Sequence, residues 1–275
     1  LETHAVRPLD PPDASGVAAF WTKHRTAITR TAAVVVFLLV WEGAVRFGGV
    51  SPLFLSSPSA VTLRLIKVFA DGSIWPSLLA TANVAAWGAF LSIIVGVPVG
   101  VLMGRSALVR DTLEPFIMGM SSAPIVAFLP LLIIWLGIGP TSKIALVFIG
   151  SVFVMIVNTE TGVRQIDYRL IETARSFTAT EFDILIKIVA PAALPFMIAG
   201  VRLAIARVLI MVVVAEFYAA TVGIGYLIFQ AGSQYDTTLV FVGVVILAGT
   251  GVIANAGLRA LERRIAPWMH NVGGP

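Results

Sequence analysis

Long apolar runs separated by short polar stretches set the pattern of this chain. Runs of roughly 20 residues occupy about 27–47, 78–103, 118–138, 143–159, 194–219 and 238–260. A helix needs about that length to cross some 30 Å of hydrocarbon. The pattern therefore predicts an all-α polytopic membrane protein with about six spans. The third run is interrupted by Pro115, Pro124 and Pro130, each of which removes a backbone donor, so a short helix followed by a kinked span is expected there rather than a straight rod. The first run is too long for the apolar core of a signal peptide and reads as a retained span. A polar tail, 1–25, with Pro8, Pro11 and Pro12, precedes a membrane domain at 26–265, and a short tail, 266–275, follows it. The first tail is expected to be mobile.

Two polar stretches carry patterns of their own. Over 57–70, Ser57 is placed to cap a short helix and Pro58 suits its first turn. Val61, Leu65, Val68 and Phe69 fall on one face, with Arg64 and Lys67 off it, as in a helix lying along an interface. The second stretch, 160–193, is too long for a simple connector. Ile166, Leu170, Ala174 and Phe177 fall on one helical face, with Asp167, Glu172 and Arg175 at polar positions. Thr180-Glu181-Phe182-Asp183 fits a capping box, and Pro191 and Pro195 mark the turn into the fifth span. Two short helices in a bent arrangement follow, a rigid knob suited to a socket on another protein.

Composition agrees and excludes several chemistries. Hydrophobic residues make up 58% and charged residues 12%, against about 25% charged in soluble domains. Charge is too scarce to cover a soluble surface. Cysteine is absent, and His4, His24 and His270 all lie in the tails. A zinc site or a Ser–His pair within the spans is therefore not expected, and no GxxxxGK[ST] phosphate loop occurs. The chain does not read as an enzyme, and its basic excess is of the membrane-loop kind rather than a nucleic-acid surface.

With both ends in the cytoplasm, the inner segments hold Arg7, Lys23, Arg25, Arg30, Arg105, Arg110, Arg164, Arg169, Arg175, Lys187, Arg259, Arg263 and Arg264, thirteen in all. The outer segments hold Arg46, Arg64, Lys67 and Lys143, and the positive-inside rule favours this orientation. Nine of the 34 charged residues fall between Glu160 and Ala193, so the scarce charge is concentrated where a soluble partner would dock.

Ionisable and polar groups inside the spans are candidates for a solute path. Glu42 and Arg46 stand four apart and suit a pair along the first helix. Arg202 and Arg207 point about 140° apart on an ideal helix, so both cannot line one narrow path; an arginine near the path suits an anionic solute, while packing or snorkelling accounts for either one. Glu216 lies toward the outer end and suits pairing or gating. Asn158 and Thr159 close the fourth span and either present polar groups to a solute or end a solvated helix. Gly96, Gly100 and Gly104 recur every four residues and allow close helix packing.

The stretch from Glu172 resembles the EAA loop of ABC importer permeases, the binding-protein-dependent transport inner-membrane family. That pattern is E-A-A, three residues, G, nine residues, then I-x-L-P. Glu172, Ala174, Ile188 and Pro191 match it at full spacing; Thr173, Thr178 and Ala190 depart from it. The segments Leu55–Val61, Leu136–Ile144, Ile171–Phe177 and Gly223–Ile228 also resemble the family, in order, and point to its nitrate, taurine and alkanesulfonate subgroup.

The resemblance implies the architecture of a type I importer, in which two permease copies form the pore. Separate ATPase subunits holding ATP and Mg dock on the coupling loop, an external binding protein delivers the solute, and access alternates across the cell membrane. The coupling residues it implies are Glu172, Thr173, Ala174, Arg175, Ser176, Phe177 and Thr178, with Glu172 meeting a basic group on the ATPase. The implied cargo is a small, anionic solute such as a sulfonate, taurine, nitrate or bicarbonate. Thr178 in the glycine place is in tension with this, because a β-branched residue at positive φ is an outlier. A stand-alone secondary transporter or channel is the alternative. It would need an acid or histidine relay or an inverted repeat in the spans.

Overall fold

A computed structural model describes residues 16–49, 51 and 53–266. Most of the expected tails, 1–15 and 267–275, lie outside the described residues. The chain divides into two units, Leu1–Ala60 and Val61–Pro275.

In the first unit, α1 (Gly16–Phe47) contains the apolar run Ile28–Phe47, long enough to cross a membrane. A cluster of polar contacts lies near its end. Glu42 accepts from Arg46 Nε at 2.5 Å, as the four-residue spacing predicts, and also from the Ser59 hydroxyl at 2.7 Å and the Ser59 amide at 3.0 Å. Ser57 accepts from the Ala60 amide at 3.3 Å, so the cap expected for the following helix is present.

That helix, α2 (Pro58–Ala70), leads into the second unit. Val61 and Val68 are buried there beside Ile74, Ile224, Val242 and Ile246. Leu65 is partly buried against them, whereas Phe69 is exposed and stacks edge-on with Trp75. The apolar face is thus narrower than the periodicity suggests.

Three long helices build the centre of the second unit: α3 (Trp75–Arg105), α6 (Pro140–Arg164) and α9 (Ala190–Ala219). Small residues decide how closely they meet. A Cβ on Gly88 would stand 2.3 Å from the Val147 side chain, one on Gly96 2.6 Å from Met155, and one on Gly100 2.6 Å from the Ile156 carbonyl oxygen. Ser92 continues the same four-residue stripe, and its hydroxyl meets that of Ser151 at 2.6 Å in the buried seam. On the other side of α6, Gly150 faces Met211, Gly162 faces Phe196, and Gly200 of α9 faces Asn158.

The seam makes a sharp prediction. Gly100→Ala is expected to destabilise the folded chain by about 1–3 kcal/mol, because the obstruction is backbone that cannot rotate away. Gly119, in the last turn of α4 (Ala107–Ser122), has nothing within 4 Å of its Cβ position. Gly119→Ala is expected to stabilise by about 0.5–1 kcal/mol through helix propensity. Thermal unfolding of the two variants in one detergent checks the opposite signs.

The third expected span, 118–138, is not a straight crossing. Its helical residues start earlier, at Ala107, and α4 ends at Ser122. Ala123 is extended at ψ 145°, as a residue before proline must be, and Pro124 opens a 3₁₀ turn at Ile125–Phe128 that runs into α5 (Leu129–Leu136). The two halves are bent by 91°. Among the described residues, five helices are long and apolar enough to cross a membrane, and this bent pair makes a sixth span if it counts as one. The core at the bend joins Ile125, Leu129 and Leu132 to Val84, Leu146, Val212 and Ala215.

Beyond α6 come α7 (Tyr168–Ser176), the single turn α8 (Glu181–Ile184) and a π-helical stretch at Leu185–Val189 that feeds α9. After α9, the short α10 (Ile224–Ser233) and the long α11 (Thr237–Ile265) complete the unit.

Candidate functional site

The 160–193 segment folds as two helical pieces around a tight turn. Asp167 starts α7 by accepting from the Arg169 amide at 2.9 Å. The end of α7 is a Schellman motif. The Thr178 amide bonds to the Arg175 carbonyl at 2.9 Å, and the Ala179 amide reaches back to the Ala174 carbonyl at 3.1 Å. This motif needs a left-handed residue, and Thr178 supplies it at φ 61°. The glycine geometry is kept although the glycine is not. The Thr178 hydroxyl, donating to the Phe177 carbonyl at 2.7 Å, offsets part of the strain.

The next piece is fastened equally firmly. Thr180 and Asp183 form the capping box expected from the sequence. Lys187 donates to Asp183 at 2.6 Å. Hydrogen bonds from Lys187 and then from Thr180 hold the Asp183 carboxyl down at about 2. Glu181 accepts from Arg175 at 2.9 Å and also pairs with Arg105 at the end of α3, which ties the knob to the bundle. Those hydrogen bonds, Arg105 first and Arg175 next, lower its pKa. These groups stand clear of the apolar span: Glu181–Ala219 is a run of 39 residues, about 58 Å of helix against about 30 Å of hydrocarbon.

The buried face of α7 differs from the periodicity reading. Ile166, Ile171 and Ala174 pack toward Val163, Ile184, Val189 and Ala193. Leu170 and Phe177 are exposed. The cause is the helix start: Ile166 lies in the bend before α7, so a face counted through it is rotated. Phe177 is 79% exposed and Phe182 72%. Glu172 is also exposed, and its carboxylate has no ion pair or hydrogen bond among the described residues. Thr173 and Ser176 turn their hydroxyls back onto the carbonyls of Arg169 and Thr173, both at 2.7 Å.

The charged groups of the spans part company. Arg202 donates to Glu262 of α11 at 2.9 Å and so faces a neighbouring helix. Arg207 is exposed, and no ion pair holds it among the described residues. Asn158 donates to the Val154 carbonyl at 2.8 Å while its Cβ packs on Gly200. Thr159 is wholly buried, with its hydroxyl unpartnered. Glu216 is 0% exposed. It accepts from the Thr81 hydroxyl at 2.8 and 3.0 Å and from the Gly225 amide at 2.8 Å, and Thr81 accepts in turn from the Ile224 amide at 2.8 Å. A carboxylate thus caps the first turn of α10, where orphan amides and the helix dipole favour negative charge. Among the described residues, no group of three His, Asp or Glu side chains could hold a metal ion.

Residues 96–267 match the family model for the binding-protein-dependent transport system inner membrane component. The chain belongs to that family. As a permease of this kind it is 33% identical over 253 residues to the taurine transport system permease protein TauC of Escherichia coli, covering 90% of this chain and 92% of the relative. It is 31% identical over 239 residues to the putative aliphatic sulfonates transport permease protein SsuC of Bacillus subtilis, covering 87% of each. The permease fold also matches an inward-facing structure of the MetNI methionine ABC transporter, with a TM-score of 0.56, 20% identity, and coverage of 69% of this chain and 97% of that one. The membrane subunit of an ABC importer is therefore the class of this chain, and transport is its business.

Two parts of the permease escaped the sequence reading. Helix α10 was not expected, although Gly223-Ile224-Gly225 lay within a family-like segment. Gly223 sits at φ 142°, and a Cβ there would meet the Glu216 carboxylate at 2.3 Å. The signal was a glycine pair seven and nine residues after a buried acid. Glu181 was missed as a tie between loop and bundle because its partner Arg105 is 76 positions away.

Thr178→Gly is expected to relieve the left-handed strain by about 1 kcal/mol. The Thr178 and Ala179 amides should then exchange hydrogen about fivefold more slowly. Unchanged or faster exchange would show that the threonine hydroxyl compensates fully.

Proposed function

We propose that this permease forms the pore for a small anionic solute of the taurine and sulfonate class, working by alternating access. Two copies would line the path, an external binding protein would deliver the solute, and ATPase subunits would dock on residues 160–193. Both termini would lie in the cytoplasm, where the basic segments fall. The observation that carries this reading is the knob itself. It is braced at both ends by caps, tied to α3 through Glu181, and leaves Glu172, Phe177 and Phe182 exposed, with no partner for the acid among the described residues. A rigid, anchored projection of this kind passes a partner's motion to the spans.

For the path, Arg207 is the span arginine left unpaired, and it would attract the anion. Arg202 is engaged by Glu262 and would act in packing. The supporting relatives carry taurine and aliphatic sulfonates in their names.

The test is uptake of taurine and short alkanesulfonates into proteoliposomes holding the permease, its ATPase subunits and the cognate binding protein. Uptake should stop when ATP is withdrawn, and Arg207→Gln should reduce it about tenfold, the worth of one charge-assisted contact. Undiminished uptake without ATP, with no ATPase retained on purification, would overturn the importer reading. Normal uptake by Arg207→Gln would remove that residue from the path.

A further inference from the structure

A cavity of about 290 Å³ lies between the knob and the bundle, on the side of α7 that faces α3 and α6. Arg105 enters it from the end of α3, Arg164 from the end of α6, and Arg175 from α7, with Tyr168 beside them. No carboxylate lines it. Ile171 and Val189 give it an apolar wall.

The arginines are not balanced by the acids they meet. Arg105 and Arg175 share the single carboxylate of Glu181, and Arg164 pairs with Glu160. Each guanidinium carries five N–H donors, yet each spends one nitrogen on these bonds. Three arginines thus line one cavity, and the N–H groups they do not give to Glu160 and Glu181 suit the oxygens of a phosphate group.

We infer that the Arg105–Arg164–Arg175 cavity binds a phosphate group at the root of the knob. The site sits at the helix ends where an inner-leaflet headgroup would reach, and its apolar wall would take the first carbons of a glycerol stem. A phosphodiester headgroup and free phosphate offer these arginines the same oxygens. The bound group would neutralise charge that Glu181 covers for Arg105 and Arg175 in its absence. It would therefore bear on the contact that ties the knob to α3. This site is separate from the solute path and does not depend on which solute the permease carries.

The experiment is native mass spectrometry of the full chain in detergent, with three probes: dihexanoylphosphatidylglycerol, dihexanoylglycerol, which lacks the phosphate, and inorganic phosphate. One phosphatidylglycerol adduct above the dihexanoylglycerol background assigns the site to a lipid headgroup; an inorganic phosphate adduct assigns it to the free anion. In either case Arg164→Gln combined with Arg175→Gln should weaken the adduct at least tenfold, while Arg259→Gln, a basic position on α11 away from the cavity, should leave it unchanged. The paired lysine variant, Arg164→Lys with Arg175→Lys, keeps the charge but loses the forks. It should weaken binding severalfold, and it decides the question if circular dichroism shows the glutamine variant unfolded. No adduct with either phosphate probe, or equal adducts in the wild type and the folded variants, would overturn the site.

Discussion

Glu216→Leu is expected to cost this permease about 3–5 kcal/mol and to lower its thermal midpoint in detergent more than the other substitutions considered. Leucine is larger by about one methylene, which adds some overpacking, but most of the loss comes from polar groups left behind. The Gly225 amide and the Thr81 hydroxyl both lose their acceptor. A buried polar group without a partner costs about 1–3 kcal/mol, and within a membrane no water stands in. The bond from the Gly225 amide is also the cap on α10, so its loss frees the start of that helix. Glu216→Gln keeps one oxygen acceptor and should lose less than half as much. Thr81→Val should reproduce part of the leucine effect, because it breaks the same chain of bonds at the next link. Wild-type stability of the leucine variant would show that α10 is held by its apolar contacts with α11 alone.

The contrast between Glu216 and Glu172 shows what the sequence made legible and what it did not. Local patterns were readable wherever the interaction partners are near in sequence. The Thr180–Asp183 box, the Glu42–Arg46 pair and the kink among three prolines all rest on neighbours within a turn or two, and all are present. The glycine stripe on α3 was readable as a packing surface for the same reason, although its extension through Gly88 and Ser92 emerged only with α6 in place. Long-range polar ties were opaque. Glu216 and Thr81 are 135 positions apart, and nothing in a single sequence links them. Sequence placed the acid in a span and left pairing, gating or solute contact open. The fold spends the carboxylate on a helix cap.

Thr178 teaches a different lesson. The family glycine marks a backbone requirement, and a non-glycine at that place raised the question whether the turn had changed. The two Schellman bonds are both formed, so the geometry is set by the helices on either side rather than by the residue at the turn. Propensity lost to tertiary context here, at a cost of about 1–2 kcal/mol.

Glu172→Ala is expected to uncouple ATP hydrolysis from uptake, cutting transport about tenfold while leaving the fold intact. Its carboxylate is exposed and has no partner among the described residues, so removing it orphans none of them and should shift stability by less than about 0.5 kcal/mol. If the acid meets a basic group on an ATPase subunit, the lost contact is charge-assisted and worth about 1.5–3 kcal/mol. The deficit should appear in the coupled step: solute and binding protein should stimulate ATP hydrolysis less, while the basal rate of the ATPase subunits persists. Glu172→Gln should fall between, since it keeps an acceptor without the charge. Phe177→Ala, at the most exposed aromatic of the knob, should weaken docking by loss of apolar burial instead, and its effect should be insensitive to salt where that of Glu172 is not. A Glu172→Ala permease with full uptake and full stimulation would place the docking contact elsewhere on the knob. Loss of stability in that variant would make its role internal, against the open position the carboxylate occupies.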